Sequence, residues 1–389
     1  NMNGGDGDDT LNGGGLNLTT IWDDLVAGGF DLTNLGEDIL NVLPLGTTTN
    51  NMDGGDGNDT LIGGSGPHAE IFGIELGGVT NDMAGGEGED LLLGGSLGAE
   101  NNMFGEGGND WLIGGSIGAD NEMSGGDGDD RLIGGSLLGT TNDMSGDAGE
   151  DILLGGIAAN EMHGGADDDI IIGGAGLNGA LDFLGVGGGL EGLVPTGSGL
   201  DDIIDLFPSG TDANTMYGEG GDDILIGGLS DNTMYGDYDH DYDPLTDTDG
   251  APGNDILVGG LGAENNMFGG EGEDTLIGGA FSTGSNWMYG GADADLLIGG
   301  AYSGNHMFGE GGNDLLIGGL ESTNDMYGEG GEDLLIGGLN SDNTMSGGLD
   351  NDLLIGGLGG TNDMSGDEGE DLLIGGLDSD NLMSGGLDN

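Results

Sequence analysis

Aspartate recurs along this chain of 389 residues at a fixed distance from methionine. All 16 Met fall at one point of a repeated unit, and in fourteen of fifteen copies an Asp follows its Met by seven residues. The exception is the pair Met234 and Asp255. A turn that is built around a bound ion cannot change length, because each oxygen ligand is tied to a backbone position. We therefore interpret the Asp side of the unit as a column of metal sites.

The residues around each Asp favour calcium. Ca²⁺ takes roughly six to eight oxygen ligands in flexible geometry, whereas Mg²⁺ demands near-ideal octahedra and keeps its waters. Glycines at the first and fourth positions of the turn let the backbone direct its carbonyls toward one point. The chain has no Cys, so no thiolate site contributes. A competing interpretation is that Asp merely ends a turn, for which it is well suited, but this does not explain the fixed length.

The repeated unit is stacked along most of the chain. Its clearest copy is Asn324–Leu339, and the six Met from Met288 to Met383 are each 19 residues apart. A fixed period with a fixed Gly pattern indicates a stacked-repeat architecture. Each unit has two halves of nine residues. The first half, as in Gly269–Ile277, reads G-G-x-G-x-D-x-L-x, and the second, as in Gly155–His163, keeps the Gly pair but lacks the Asp.

The first half resembles the nonapeptide G-G-x-G-x-D-x-U-x of the RTX (haemolysin-type) calcium-binding repeat proteins, in which U is a large apolar residue. The one-sided pattern is similar to the solenoids of certain marine bacterial RTX adhesins. The resemblance implies an all-β parallel β-roll, or β-solenoid, here of about sixteen turns. It also implies roughly 14–15 Ca²⁺ ions between successive turns along one edge, each bound mainly by one carboxylate. The matching positions are Asp9, Asp59, Asp90, Asp110, Asp130, Asp151, Asp169, Asp223, Asp255, Asp274, Asp295, Asp314, Asp333, Asp352 and Asp371.

Two apolar positions per unit predict a thin core. Alternation with period two points the Met inward, and the Leu at the equivalent position, such as Leu335, faces it across the roll. This core is too thin to hold together a chain with a net charge of −73, so folding should be coupled to metal binding. The Asn column that includes Asn81 is either a ladder of side-chain amides or a turn residue that tolerates left-handed backbone. Because lengths vary on this side, we expect a plain loop edge.

We expect residues 1–389 to form one solenoid with insertions at 15–49, 65–80, 175–213 and 237–252. The first and third insertions contain short helix candidates, including Leu35–Leu43 after a capping-box signal. The fourth is acidic, and its segment 237–249 is either a further ion site or a solvated loop. The chain begins and ends within the repeat pattern, whereas solenoids need atypical capping ends. We therefore expect a longer protein.

Charge excludes several classes of partner. The chain has 74 acidic residues against one basic residue, so nucleic acid and anionic membranes are excluded as electrostatic partners. No stretch reaches 18 apolar residues, so we expect no membrane insertion. We also expect no enzyme activity. The G-x-S-x-G matches at Gly94–Gly98 and Gly114–Gly118 lie in repeat turns rather than in a strand-to-helix elbow, and the four His are scattered.

These patterns favour a structural role, as a calcium-binding segment of a secreted filament, surface-layer or matrix protein. The RTX resemblance implies type I secretion of a chain that stays unfolded in low cytoplasmic calcium. Leu334 and Ile336 flank the inward Leu335, and this arrangement recurs turn after turn. The resulting outward aliphatic rows predict self-association or lateral packing with another chain. The alternative is an adhesin or ice-binding module, although the third turn position is never the Thr that ice binding would favour.

Overall fold

A computed structural model describes residues 2–7, 9–13, 48–66, 69–71, 74–76, 78–135, 140–156, 159–174, 213–237, 253–282 and 284–386. The chain divides into two compact units, Asn1–Ala159 and Asn160–Asn389. In both units the described residues form strands and turns without any helix. Long strands alternate with three-residue strands along the chain. The strands are numbered below in chain order.

In the first unit the long strands form one parallel sheet and the short strands form another. The long strands are β1 (Met2–Asp6), β3 (Thr48–Asp56), β7 (Val79–Glu87), β9 (Glu100–Gly107), β11 (Asp120–Asp127) and β13 (Thr141–Ala148). The short strands are β2 (Thr10–Asn12), β4 (Thr60–Ile62), β8 (Leu91–Leu93), β10 (Trp111–Ile113), β12 (Arg131–Ile133) and β14 (Ile152–Leu154). A separate antiparallel pair is formed by β5 (Ala69–Ile71) and β6 (Ile74–Leu76).

The second unit repeats the same two-sheet arrangement. Its long strands are β15 (Ala159–Ala166), β17 (Asn214–Gly220), β19 (Asn232–Tyr235), β21 (Asn265–Glu271), β23 (Ser285–Ala292), β25 (Gly304–Gly311), β27 (Thr323–Gly330), β29 (Ser341–Leu349), β31 (Gly360–Glu368) and β33 (Asp380–Ser384). Its short strands are β16 (Ile170–Ile172), β18 (Ile224–Ile226), β20 (Ile256–Val258), β22 (Thr275–Ile277), β24 (Leu296–Ile298), β26 (Leu315–Ile317), β28 (Leu334–Ile336), β30 (Leu353–Ile355) and β32 (Leu372–Ile374).

Strands pair in register with the equivalent strands one turn away. Met307 lies opposite Met326 in the long-strand sheet, and Leu316 lies opposite Leu335 in the short-strand sheet. This is a parallel β-solenoid, so the predicted fold class is confirmed. The turn count differs slightly from the expected sixteen. The described residues hold fifteen complete turns, six in the first unit and nine in the second, and then the final strand β33.

The core is the predicted pair of rows, one of Met and one of Leu. In β27 the burial alternates with period two, so that Asn324 and Met326 point inward. Met326 and Leu335 are both fully buried. Most short strands are buried only at their central residue, as in β28, whereas β12, β14 and β16 also bury their third residue. The central side chain thus faces the core in each short strand, which explains why that position is always large and apolar.

The Asn column forms the amide ladder rather than a set of left-handed turn residues. Asn324 is fully buried. Its Nδ2 donates to Oδ1 of Asn343 at 2.9 Å, and its Oδ1 accepts from Nδ2 of Asn305 at 2.8 Å. The same Oδ1 accepts the backbone N–H of Gly319 at 2.8 Å. Each amide thus joins neighbouring turns and also closes the loop of one turn.

The expectation of a plain loop edge on this side is therefore wrong. Ser341 is buried, and its hydroxyl donates to the carbonyl oxygens of Gly319 and Leu339 at 2.9 and 3.1 Å. Backbone bonds also link the loop tips, as in Asn340 N–H to Leu358 O at 2.8 Å. Loop length varies in sequence, but the loops that the structure describes are hydrogen-bonded to one another.

The insertions are described only in part. The helix candidates of the first and third insertions lie outside the described residues. The second insertion contains the β5–β6 pair, and β7 begins at Val79. At the fourth insertion, Oδ1 of Asp237 accepts the backbone N–H of Gly253 at 2.9 Å. That insertion therefore leaves and rejoins the solenoid at adjacent points. Among the described residues, no helix is long and apolar enough to cross a membrane.

Candidate metal centre

Each column Asp lies between a glycine turn and a short strand, with its side chain directed inward. Asp110 is fully buried, and Asp333 is 3% exposed. Its backbone carbonyl accepts the N–H that begins the short strand of the next turn, as in Leu353 N–H to Asp333 O at 2.9 Å. The parallel ladder of short strands thus extends to the Asp and holds its backbone rigidly. In-register stacking then places the carboxylates one above another.

One oxygen of each carboxylate is used to join the turns. The backbone N–H of Asp314 donates to Oδ1 of Asp333 at 2.8 Å, and the N–H of Asp333 donates to Oδ1 of Asp352 at 2.8 Å. The same bond recurs at 2.6–2.7 Å from Asp9 to Asp151 in the first unit. In the second unit it recurs from Asp169 to Asp371. The structure therefore brings the predicted residues of each unit into one column.

The second oxygen of these carboxylates, Oδ2, is buried and has no hydrogen-bond partner. A buried acceptor without a partner costs about 1–3 kcal/mol, and more when it is charged. This cost would be paid at turn after turn. Fourteen residues share the feature: Asp59, Asp90, Asp110, Asp130, Asp151, Asp169, Asp223, Asp255, Asp274, Asp295, Asp314, Asp333, Asp352 and Asp371. The remaining predicted residue, Asp9, lies in the first turn of its unit and donates its N–H to Asp59.

The orphaned Oδ2 faces a small cradle in the glycine turn. A Cβ added at Gly328 would overlap Oδ2 of Asp333 and would lie 2.5 Å from the carbonyl oxygen of Gly347 on the next turn. Only glycine therefore leaves this space open, and two oxygens point toward it. The same pair of oxygens meets the missing Cβ at Gly4, Gly54, Gly85, Gly105, Gly125, Gly164, Gly218, Gly236, Gly269, Gly290, Gly309 and Gly328.

This donor set fits a hard cation that binds oxygen. Carboxylate and backbone carbonyl oxygens are the ligands that Ca²⁺ prefers. Among the described residues, no group of three or more His, Cys, Asp or Glu side chains is arranged so that the side chains alone could hold a metal ion. The backbone must therefore supply part of any coordination shell. The fourth turn position supports this geometry, because Gly331 has φ of +128°, a conformation that side chains disfavour.

Burial raises the pKa of the column carboxyls, as expected when a charged form loses its water. Burial raises the pKa of Asp151, Asp295 and Asp333 to about 7. The backbone N–H bond to Oδ1 opposes this effect, and the charge of neighbouring Asp adds to it. The pKa of Asp223 reaches about 9 for the same reasons. A cation beside Oδ2 would instead favour the ionised form.

The outer edge adds further columns of like charge. Glu310 and Glu329 lie opposite each other in register on β25 and β27. Burial and the charge of Glu329 raise the pKa of Glu310. Like charges directly opposite in a sheet are destabilising. A solenoid that repeats an acidic unit in register therefore needs cations both at its Asp column and around its acidic edge.

One acidic residue of the fourth insertion also approaches the solenoid. Asp237 accepts Gly253 N–H at 2.9 Å through Oδ1 and Glu271 N–H at 2.6 Å through Oδ2. Burial raises its pKa to about 6. Both oxygens are already used by the backbone, so Asp237 closes the turn where the regular Met-to-Asp spacing is interrupted. The possible ion site in the rest of this insertion lies outside the described residues and stays a prediction.

The glycine nonapeptides match the model of one protein family, the RTX calcium-binding nonapeptide repeat. The matched segments are residues 1–17, 46–66, 98–116, 118–136, 145–178, 209–242, 249–282, 268–301 and 303–323, which together exceed half of the chain. The chain belongs to the RTX calcium-binding repeat family. No curated protein and no solved structure matches it. The RTX solenoid is a structural fold, and our expectation that this chain is not an enzyme stays a prediction.

Sequence reasoning did not identify three features of this RTX solenoid. The orphaned Oδ2 atoms follow from the direction of the Asp side chain, which a spacing pattern does not give. The serine bonds of the loop edge, as at Ser341, follow from contacts between turns. The third is a column of stacked aromatic rings on β15 to β27. Its signal was present in the sequence, because an aromatic residue follows Met at 216, 234, 267, 288, 307 and 326.

Filling one cradle should remove one calcium site. Gly328→Ala places a methyl group where Oδ2 of Asp333 and the Gly347 carbonyl converge, so we expect about one Ca²⁺ fewer per chain and a loss of a few kcal/mol. Gly330→Ala is the matched control, because its added Cβ would meet only Glu310 O, at 3.4 Å. Calcium stoichiometry by calorimetry and unfolding by denaturant check this. Equal losses for the two variants would contradict the assignment.

The metal-free RTX solenoid should lose stability as pH rises. A folded pKa raised from 3.8 to about 7, as for Asp333, gives stability that is complete below pH 4 and disappears as pH rises through 7. Strand content of metal-depleted protein, measured by circular dichroism, should therefore fall between pH 4 and 8. Calcium binding at pH 7 should release protons, which calorimetry in two buffers of different ionisation enthalpy detects. Strand content that is constant over this range would contradict the prediction.

Proposed function

We propose that this chain is a structural segment of a secreted filament, surface layer or matrix, and that it folds when calcium fills the Asp column. The observation that carries the proposal is the row of fourteen buried Oδ2 atoms without a partner. For eleven of these atoms the glycine cradle also contains a backbone carbonyl oxygen of the next turn. A row of buried oxygens without partners would destabilise the metal-free β-roll. In the calcium-bound β-roll the same oxygens would be ligands of the ions. On this proposal roughly 14–15 ions occupy the column.

Electrostatics supports a requirement for the ion. Turns of a parallel sheet are about 4.8 Å apart, and two unit charges at that distance repel by about 3 kcal/mol at an effective dielectric constant of about 20. The thin core of one Met and one Leu per turn must overcome this repulsion. About fifteen Ca²⁺ ions would reduce the net charge from −73 to about −43 while adding ligand bonds between turns.

Calcium dependence suits a protein that crosses a membrane unfolded. RTX repeats are typical of type I secreted proteins, which supports an extracellular or cell-surface location. In low cytoplasmic calcium the self-repelling chain stays extended. Outside the cell, binding energy becomes folding energy. The result is a rigid calcium-stiffened segment, which is what a filament or matrix needs.

Removal of calcium tests this proposal directly. We expect the strand signal in circular dichroism to collapse toward coil when a chelator is added, and to return with calcium. Asp333→Asn keeps an acceptor for the ladder but removes a charge, so it should shift the calcium midpoint to a higher concentration. Asp363→Asn, on the exposed face of β31, removes the same charge outside the column and is the control. A strand spectrum that persists in excess chelator at about pH 8, where the metal-free column carboxyls have lost their stabilising protonation, would refute calcium-coupled folding.

Lateral packing is proposed for the outer face of the short-strand sheet, with a second copy of this chain as the partner. Leu315 and Ile317 of β26 flank the buried Leu316 and are partly exposed. The equivalent pairs stack in register on β28 and β30. They form two continuous aliphatic rows, and apolar strips of a few hundred Å² usually mark contacts. Two such faces would cover each other without opposing the acidic edges.

Charge placed on the aliphatic rows should prevent this association. Ile317→Lys, Ile336→Lys and Ile355→Lys together leave the buried Leu row intact, and we expect them to abolish calcium-dependent self-association in light scattering. A matched control places three Lys at exposed positions of the long-strand sheet, Thr323, Thr344 and Thr361. If the wild-type chain stays monomeric at high concentration with calcium, the second-copy proposal is wrong.

A further inference from the structure

A column of aromatic rings runs along the outer face of the long-strand sheet in the second unit. It begins beside His163 on β15 and continues with one ring on every long strand to β27. The six aromatic members are Tyr217, Tyr235, Phe268, Tyr289, Phe308 and Tyr327. We call these six residues the aromatic strip. The outward position after Met is thus aromatic on six consecutive turns.

The rings of the aromatic strip are stacked and almost parallel. Phe268, Tyr289 and Phe308 have centroids 4.9 Å apart, with interplanar angles of 5° and 7°. The other pairs within the strip lie at 4.9–5.1 Å and 5–9°. Because each ring face covers the next, the part that remains accessible is the row of ring edges from Tyr235 to Tyr327, since Tyr217 itself is buried. Those edges form a flat ridge along the direction in which the turns are stacked.

A row of ring edges has a defined preference for ligands. Ring edges carry the positive end of the aromatic quadrupole and ring faces carry the negative end. A planar aromatic molecule that lies with its face on the ridge therefore makes edge-to-face contacts with several rings at once. The ring edges do not attract positive charge, so a preference for cations has to come from neighbouring carboxylates. At about 4.8 Å per turn, a molecule that spans three or four turns would contact three or four rings. A single exposed aromatic side chain cannot provide this.

The surroundings of the strip select for positive charge. Glu310 and Glu329 lie two residues beyond Phe308 and Tyr327 on the same outward face. Burial and the charge of Glu310 raise the pKa of Tyr289. The negative charge of Glu310 is therefore close enough to influence the aromatic strip. On the other side, Trp287 stacks on His306 with centroids 4.0 Å apart. Trp287 widens the apolar surface beside Phe308, to which it lies parallel at 6.4 Å.

We propose that the aromatic strip is a binding site for elongated planar aromatic cations, with the ligand's long axis along the stack of turns. The ring edges of the strip contact the ligand's face, and Glu310 and Glu329 balance its charge. The strip ends where the chemistry changes, because Ser346 and Ser365 take the position of the rings on β29 and β31. The site depends on the folded second unit and not on lateral packing or secretion.

The probe for this site is thioflavin T, a planar aromatic cation whose fluorescence rises when it is held rigid. We expect saturable binding to the full calcium-loaded chain, weakened by salt because the charges are exposed. The double variant Tyr289→Ser and Phe308→Ser interrupts the strip in its middle. It should weaken binding about fivefold or more, since each aromatic pair contributes about 0.5–1.5 kcal/mol. Tyr327→Ser removes only an end ring, and a ligand that spans three or four turns can still lie on the rings from Tyr235 to Phe308, so binding should weaken less than about twofold.

The first unit offers a matched control. Phe104 occupies the same outward position on β9, but its neighbours in register are Ala84 and Ser124. Phe104→Ser should therefore leave the affinity unchanged. Calcium stoichiometry and circular dichroism verify that each variant is folded. Binding that Phe104→Ser reduces as much as the double variant would overturn the proposal.

The role of charge has its own test. The pair Glu310→Gln and Glu329→Gln should weaken thioflavin T binding but not the binding of an uncharged planar benzothiazole. An anionic planar dye of similar length should bind the wild-type chain more weakly than thioflavin T does. If the anionic dye binds as tightly, the assignment of a cation site is wrong. If no dye binds the calcium-loaded chain, the strip is not a ligand site.

Discussion

The structure depends on one constraint, which is that fourteen of its fifteen complete turns hold a carboxylate with a buried, unpartnered Oδ2, so that its two oxygens have different surroundings. Oδ1 accepts a backbone N–H from the preceding turn, as Asp333 does from Asp314 at 2.8 Å. Oδ2 has no partner and faces a glycine cradle. The first oxygen fixes the position of the carboxylate, and the second is left to receive a ligand. The backbone carbonyl of the same Asp also accepts the first hydrogen bond of the short-strand ladder. A change at the metal site therefore also alters the hydrogen bonding of the short-strand sheet.

In-register stacking extends the same logic to every other column. Side chains at equivalent positions of neighbouring turns are stacked about 4.8 Å apart. A self-complementary side chain therefore gains from stacking, as Asn324 does by donating to one neighbour and accepting from the other. Aromatic rings are also self-complementary, which explains the strip. Carboxylates are not, since two adjacent acceptors repel. The acidic columns therefore require an outside partner, whereas the amide and aromatic columns do not.

Much of this could be predicted from the sequence, because a repeat fixes register. Once Met and Asp are aligned, the inward direction of Met326 and Leu335 follows from period two. The amide ladder could be proposed but not chosen over turn residues, because the choice depends on the direction of the side chain. The loop edge was misjudged for a related reason. Variable loop length suggested conformational freedom, but Ser341 and its neighbours bond between turns. Ser303, Ser322 and Ser341 recur 19 residues apart, so the serine pattern was present in the sequence and only its contacts were missing.

The hydrogen-bond ladders formed by the Asp and Asn columns run in one direction along the solenoid. This direction determines which turns are affected when one side chain is removed. At both inner columns the donor belongs to one turn and the acceptor to the turn that follows, as from Asp333 to Asp352 and from Asn324 to Asn343. The exposed column runs the opposite way, since Glu332 donates its N–H back to Oδ1 of Asn313. Each turn is thus held by bonds of both directions and by the sheets. Removing an Asn side chain leaves unpaired groups on both neighbouring turns, whereas removing an Asp side chain leaves only the N–H of the preceding turn unpaired. Such bonds between turns are the nearest-neighbour coupling that makes stacked repeats fold cooperatively. An ion shared between turns would strengthen the same coupling, so that calcium stabilises the interfaces between repeats more than any single repeat.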